Sequence, residues 1–200
     1  MNRAELEHIL RACKGTTDET EFIVIGSQAI LGRHPDAPRV LRESIELDVY
    51  PKFRPDLSAD LAGNLGEFSL FHQTHGIWVD GVSPETATLP AGWDERLVKV
   101  CNENTGGAIG WCLDPHDIAY AKLAARREKD IAFVAELIRH KLVRPSRVES
   151  LIASAASDAL RERLGGAWAI CRARMIDPPF FRHTENHIPH RVVRGFSANC

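Results

Sequence analysis

The stretch Arg42-Glu43-Ser44-Ile45-Glu46-Leu47-Asp48 constrains the fold more than any other part of the chain. Side chains alternate faces along a strand. An extended backbone therefore puts Arg42, Ser44, Glu46 and Asp48 on one face, and Ile45, Leu47 and Val49 on the other, toward a core. Carboxylates two residues apart on a rigid strand can hold a hard divalent cation, which prefers oxygen ligands. The same alternation also suits a solvated strand face. Upstream, Phe22-Ile23-Val24-Ile25 reads as a buried strand, then Gly26-Ser27, then the apolar helix start Gln28-Ala29-Ile30. A backbone that closes on a phosphate needs glycine, because a Cβ would obstruct the approach.

A chain of 200 residues can bury a sizeable core, and its 44% hydrophobic and 26% charged residues are those of a globular protein. The net charge of −2 gives no global electrostatic argument for nucleic acid. The chain has no apolar run of membrane-spanning length, and Met1-Asn2-Arg3-Ala4-Glu5 does not read as a signal peptide, so cytoplasm is the default expectation. The five cysteines, at 13, 101, 112, 171 and 200, form no Cys-x-x-Cys pair and read as free thiols.

The patterning predicts a helix over residues 2–14 and a second strand over 45–49. Further on it predicts a helix over 56–65, a short extended piece over 68–71, and strands over 76–82, 97–101 and 108–112. Asp114 and Pro115 make a strong helix start, with Asp as N-cap and Pro at the first helical position. That helix is expected to run unbroken to residue 139 or 140. Helices follow from Pro145 and over 156–164, with Gly165-Gly166 as a stop or kink. This order predicts an α/β (α+β) fold: a mixed sheet flanked by helices in residues 1–140, and a C-terminal helical segment of the same domain in 141–177. Residues 178–200, rich in Pro and His, read as a flexible tail.

At 100° per residue, Lys122, Arg126, Lys129 and Asp130 of the long helix fall within about a 100° sector. Apolar residues surround much of that helix, so these charges need partners. An ion-pair network, with Arg126 and Asp130 at i,i+4, is one solution. A third carboxylate, Asp80, lies in Trp78-Val79-Asp80-Gly81, where Asp-Gly also reads as a turn. Arg42 can pair with Glu46 on the same strand face or face a phosphate.

Gly26-Ser27, Arg42-x-Ser44-x-Glu46-x-Asp48, Lys122 and Arg127-Glu128-Lys129-Asp130, in this order, resemble the nucleotidyltransferase fold. Within it they look like the AbiEii-like group of bacterial toxin-type nucleotidyltransferases. The resemblance implies transfer of a nucleoside monophosphate from an NTP to an acceptor hydroxyl on tRNA or protein. It implies Mg²⁺ or Mn²⁺ and, for toxin-type relatives, an antitoxin protein as partner. Glu46, Asp48 and Asp80 would hold metal. Gly26, Ser27, Arg42, Lys122 and Lys129 would bind nucleotide, and Asp130 would complete the catalytic set. The departure is Glu46, where the group's pattern has Asp. Its extra methylene moves the carboxylate outward by about 1.5 Å. The alternative is thus an inactive member of the fold that binds a nucleotide or a partner.

Overall fold

A computed structural model describes residues 1–176. The elements run α1 (Arg3–Thr17), β1 (Glu21–Val24), α2 (Ile30–Arg33), β2 (Glu46–Pro51), α3 (Ser58–Leu65), α4 (Leu70–His75), β3 (Trp78–Gly81), β4 (Val98–Val100), β5 (Ile109–Cys112), α5 (Pro115–Ala125), α6 (Glu128–Arg139), α7 (Pro145–Ala153) and α8 (Asp158–Ile176). The strands form one sheet in the order β3-β2-β1-β5-β4. β1 pairs antiparallel with β2 and parallel with β5, β3 lies parallel to β2, and β4 antiparallel to β5. This is the mixed α/β architecture that the element order predicted.

Register decides which residues share a face. Val24 sits opposite both Val49 and Cys112, and Leu47 opposite Val79. These side chains are wholly buried and form the core with Leu6 and Leu10 of α1 and Leu61 of α3. The other face carries Glu46 and Asp48, opposite Trp78 and Asp80 respectively, and Ile23 beside Tyr50 and Trp111. α5 through α8 pack on one another around Leu123, Val134, Leu137, Val148 and Leu164. Asp114 caps α5, accepting from the His116 N–H at 2.9 Å, with Pro115 as its first residue. No helix among the described residues is long and apolar enough to cross a membrane.

Several local expectations are corrected. β2 starts only at Glu46: Arg42 closes the short 3-10 turn Arg39–Leu41, and Ser44 lies in irregular chain. The carbonyls of Arg42 and Ser44 accept from the Met1 ammonium, at 2.5 and 2.9 Å, instead of from a strand. Residues 70–71 are helical, because Ser69 caps α4 by accepting from the His72 N–H at 3.1 Å. The helix expected over 114–140 breaks at Arg126, whose φ of 58° is left-handed. Gly165 and Gly166 interrupt nothing: α8 is continuous through them, held by its buried residues Leu164, Ala167, Trp168 and Cys171. The tail expected over 178–200 lies outside the described residues.

Gly81 sets how closely α3 approaches β3. A Cβ there would stand 1.9 Å from the Ser58 carbonyl oxygen, a backbone atom that cannot swing aside. Gly81→Ala is therefore expected to cost about 1–3 kcal/mol through forced displacement of α3. Urea unfolding of the two proteins measures this, and equal midpoints would contradict the close packing.

Candidate functional site

The site grows from the end of β1. The β1–β2 ladder runs one residue past β1, with the Ile25 N–H donating to the Asp48 carbonyl at 3.0 Å. Gly26 then turns the chain with φ 69° and ψ −163°, a region essentially reserved for glycine. A Cβ at Gly26 would lie 1.9 Å from Asp48 Oδ2. Glycine is thus required twice, for the backbone conformation and for contact with the carboxylate.

Asp48 is half-buried and sits directly opposite Asp80 across the parallel β2–β3 pair. Burial pushes its carboxyl up to about 6, and the charges of Glu46 and Asp80 add to the rise, with Lys122 opposing it. Glu46 lies one pleat away, opposite Trp78. Among the described residues no three carboxylate, imidazole or thiolate groups stand close enough together to ligate one ion. Mg²⁺ does not need three. It commonly binds one or two carboxylates and completes its shell with waters and substrate phosphates. Asp48 with Asp80, or Asp48 with Glu46, fits that pattern, and the crowding of acids around a half-buried carboxyl is what a cation would relieve.

Across from the carboxylates stands a cationic cluster at the α5–α6 break. Asp130 is fully buried. It accepts from Lys122 Nζ at 3.1 Å, from Arg127 Nε at 2.6 Å and from Arg127 Nη2 at 3.3 Å. Burial raises the Asp130 carboxyl, but the bonds and charges of Arg127 and Lys122 outweigh it, and it ends below its ordinary value. Lys122 Nζ also lies 4.6 Å from the centre of the Phe133 ring. The predicted partner Arg126 is replaced by Arg127 and Lys122, because the chain turns at Arg126 itself.

A cavity of about 190 Å³ lies between these groups. Ile25, Gly26 and Asp48 line it from the sheet, and Ile118, Ala121, Lys122 and Ala125 from one face of α5. Thr86, Ala87 and Thr88 line it from the segment after β3, joined by Leu113, Arg127 and Arg163. The structure thus brings Gly26, Asp48 and Lys122 to one cavity, with Asp130 behind Lys122 and Asp80 beside Asp48. Ser27, Arg42 and Lys129 do not line it. Ser27 opens the 3-10 turn Ser27–Ala29. Arg42 makes no ion pair with Glu46, and its buried Nε has no partner among the described residues. Lys129 is exposed on the first turn of α6. Arg127 and Arg163 are additions. The first sits inside the Arg-x-Lys-Asp stretch that drew attention to Asp130, whereas nothing in the sequence around Arg163 marks it.

With this geometry in view, the comparison with known families is decisive on class. Residues 4–164 match a family described as nucleotidyltransferase of unknown function (DUF6036), and the chain belongs to it. No curated protein and no solved structure matches the chain.

The raised Asp48 carboxyl has a stability consequence. An acid with a higher pKa folded than unfolded binds more protons when folded, over the interval between the two values. Its contribution is fully present below its unfolded pKa, near 3.8, and is lost as pH climbs through about 6. In chelator-treated protein, Asp48→Asn is therefore expected to be more stable than wild type above pH 6, by up to about 3 kcal/mol. The gap should close toward pH 4. Urea unfolding of both proteins across this range measures it, and a pH-independent gap would contradict the desolvation of Asp48.

Proposed function

We propose that this member of the family is a metal-dependent nucleotidyltransferase, moving a nucleoside monophosphate from an NTP to an acceptor hydroxyl. One observation carries the reading. Asp48, half-buried among acids and in contact with Gly26, shares a cavity with the cations Lys122 and Arg127. That pairing suits a metal–triphosphate complex, with excess negative charge on the protein meeting the cation and excess positive charge meeting the phosphates.

Asp48, with Asp80 and Glu46 as further oxygen donors, would hold Mg²⁺ or Mn²⁺. When bound, the cation supplies charge neutralisation at the phosphates and acidifies the acceptor hydroxyl. The chain's own groups do the rest. Gly26 leaves room for the Asp48 carboxylate at the cavity wall, and Ser27, the next residue but outside the lining, would have to turn its hydroxyl inward to donate to a terminal phosphate. Lys122 and Arg127 balance the charge of the departing pyrophosphate, while Asp130 holds both in place. The acceptor hydroxyl gives its proton to solvent, its oxygen bonds to the α-phosphorus, and the α–β bridging P–O bond breaks to release pyrophosphate. Following the resemblance to AbiEii-like proteins, the acceptor is tRNA or protein and the biological partner an antitoxin.

A second reading, nucleotide binding without turnover, has Glu46 in its favour. Its carboxylate stands about one C–C bond farther out than an Asp at that position, and Mg²⁺ tolerates little geometric error.

Thermal unfolding with each of the four NTPs, with and without Mg²⁺ or Mn²⁺, tests both. A ligand present at a hundredfold over its Kd stabilises by about 2.7 kcal/mol, which moves the midpoint by several degrees in a chain of this size. The expected result is a metal-dependent rise with at least one NTP that Asp48→Ala abolishes while remaining folded, together with transfer of label from that NTP to RNA or protein. A rise without transfer would select the binding reading, and no rise with any nucleotide would defeat both.

A further inference from the structure

The cavity beside Asp48 has two unlike ends. Ile118 and Ala125 bound the stretch of α5 that faces it. At 1.5 Å per residue they are about 10 Å apart along the helix axis. Leu113, just before the Asp114 cap, and Ile118, early in α5, give the start of the helix an apolar contribution to the lining. Toward Ala125 it gathers Lys122, Arg127 and Arg163.

These cations are not equivalent. Lys122 and Arg127 share the Asp130 carboxylate. Arg163, reaching in from α8, forms no ion pair among the described residues. Its Nε donates to the Ala124 carbonyl at 2.6 Å, and Nη2 bonds the same oxygen. A neutral carbonyl fixes the guanidinium plane but does not cancel its charge, and Nη1 makes no hydrogen bond among the described residues. The Ala124 carbonyl belongs to the last turn of α5, where the helix presents partial negative charge. By covering it, Arg163 removes a group that would repel an anion.

We infer that Arg163 is a further phosphate-binding residue of the site, an assignment that rests on the nucleotide reading above. It takes a triphosphate oxygen at the α5 C-terminal end of the cavity, and the nucleoside lies toward Leu113 and Ile118. A planar guanidinium suits phosphate better than an ammonium, because parallel N–H donors can meet two oxygens. The assignment makes α8 part of the site, although α8 lies beyond the stretch from Gly26 to Asp130.

Calorimetric titration of the full chain with inorganic tripolyphosphate and with each NTP, all with Mg²⁺, tests the assignment. Arg163→Gln keeps a donor for the Ala124 carbonyl without the charge, and Arg163→Lys keeps the charge without the fork. Losing one charge-assisted contact is expected to weaken tripolyphosphate and NTP binding by about tenfold in Arg163→Gln, with a shallower dependence of affinity on salt. Arg163→Lys should fall between it and wild type. If Arg163→Gln leaves both the tripolyphosphate affinity and its salt dependence unchanged, Arg163 is only a cap on α5 and the assignment fails, while the site stands. If the wild type binds neither tripolyphosphate nor any NTP, the nucleotide reading fails and takes this assignment with it.

Discussion

The contact between Gly26 and Asp48 is the constraint around which the site is organised. β2 is an interior strand, hydrogen-bonded to β1 on one side and β3 on the other. A slip of one residue would expose Leu47 and Val49 and bury the acids, so Asp48 cannot trade faces. The parallel register with β3 brings Asp80 alongside, and the turn at Gly26 closes over the carboxylate. Hydrophobic burial on one face of the sheet thus fixes the position of charge on the other. The core forces a half-buried carboxyl beside another acid, a placement that stability alone would not favour.

The positive half of the site is made by breaking a helix. Ala124-Ala125-Arg126-Arg127-Glu128-Lys129 contains only good helix formers, and a non-glycine residue in the left-handed region costs roughly 1–2 kcal/mol. Tertiary partners offset that cost. Asp130 accepts from Lys122 across the break and from Arg127 at the start of α6, the Arg126 N–H still closes on the Lys122 carbonyl, and Arg163 covers Ala124. In an unbroken helix Lys122 and Asp130 would be eight residues apart, about 12 Å along the axis. With the turn, Lys122 Nζ reaches Asp130 Oδ1 at 3.1 Å. Removing Asp130 would leave two cations without their counter-charge, so it positions Lys122 and Arg127 as well as neutralising them.

Much of the fold could be read from local signals. The alternation after Ile45, the apolar run 22–25 before Gly26, and the Asp114-Pro115 start each name one element, and each element is where that signal puts it. What stayed hidden depends on groups distant in the chain. No residue type near 126 announces a break, and the contact that covers the end of α5 there comes from Arg163, 39 residues beyond Ala124. The Gly165-Gly166 pair reads as a stop only until the buried residues around it are known to pack. Arg42 and Ser44 look like strand until their carbonyls are seen to serve the Met1 ammonium. The site was legible to the same degree. Gly26, Asp48 and Lys122 lie on elements with strong local signals and meet at one cavity, whereas Arg163 arrives by packing of α8 alone.

Glu46 gains a different meaning from this arrangement. The two acids of β2 are not held alike: Asp48 is pressed against Gly26 and paired across from Asp80, while Glu46 is the first residue of the strand, opposite Trp78. Successive same-face residues lie about 6.4–6.8 Å apart along a strand, so the outer acid must span distance to act with the inner one. A longer side chain is better tolerated there than at Asp48, where a further methylene would have to fit against the Gly26 backbone. The departure from the Asp-x-Asp pattern thus falls on the carboxylate with freedom to adjust, and the fixed one keeps the shorter side chain its contact with Gly26 requires.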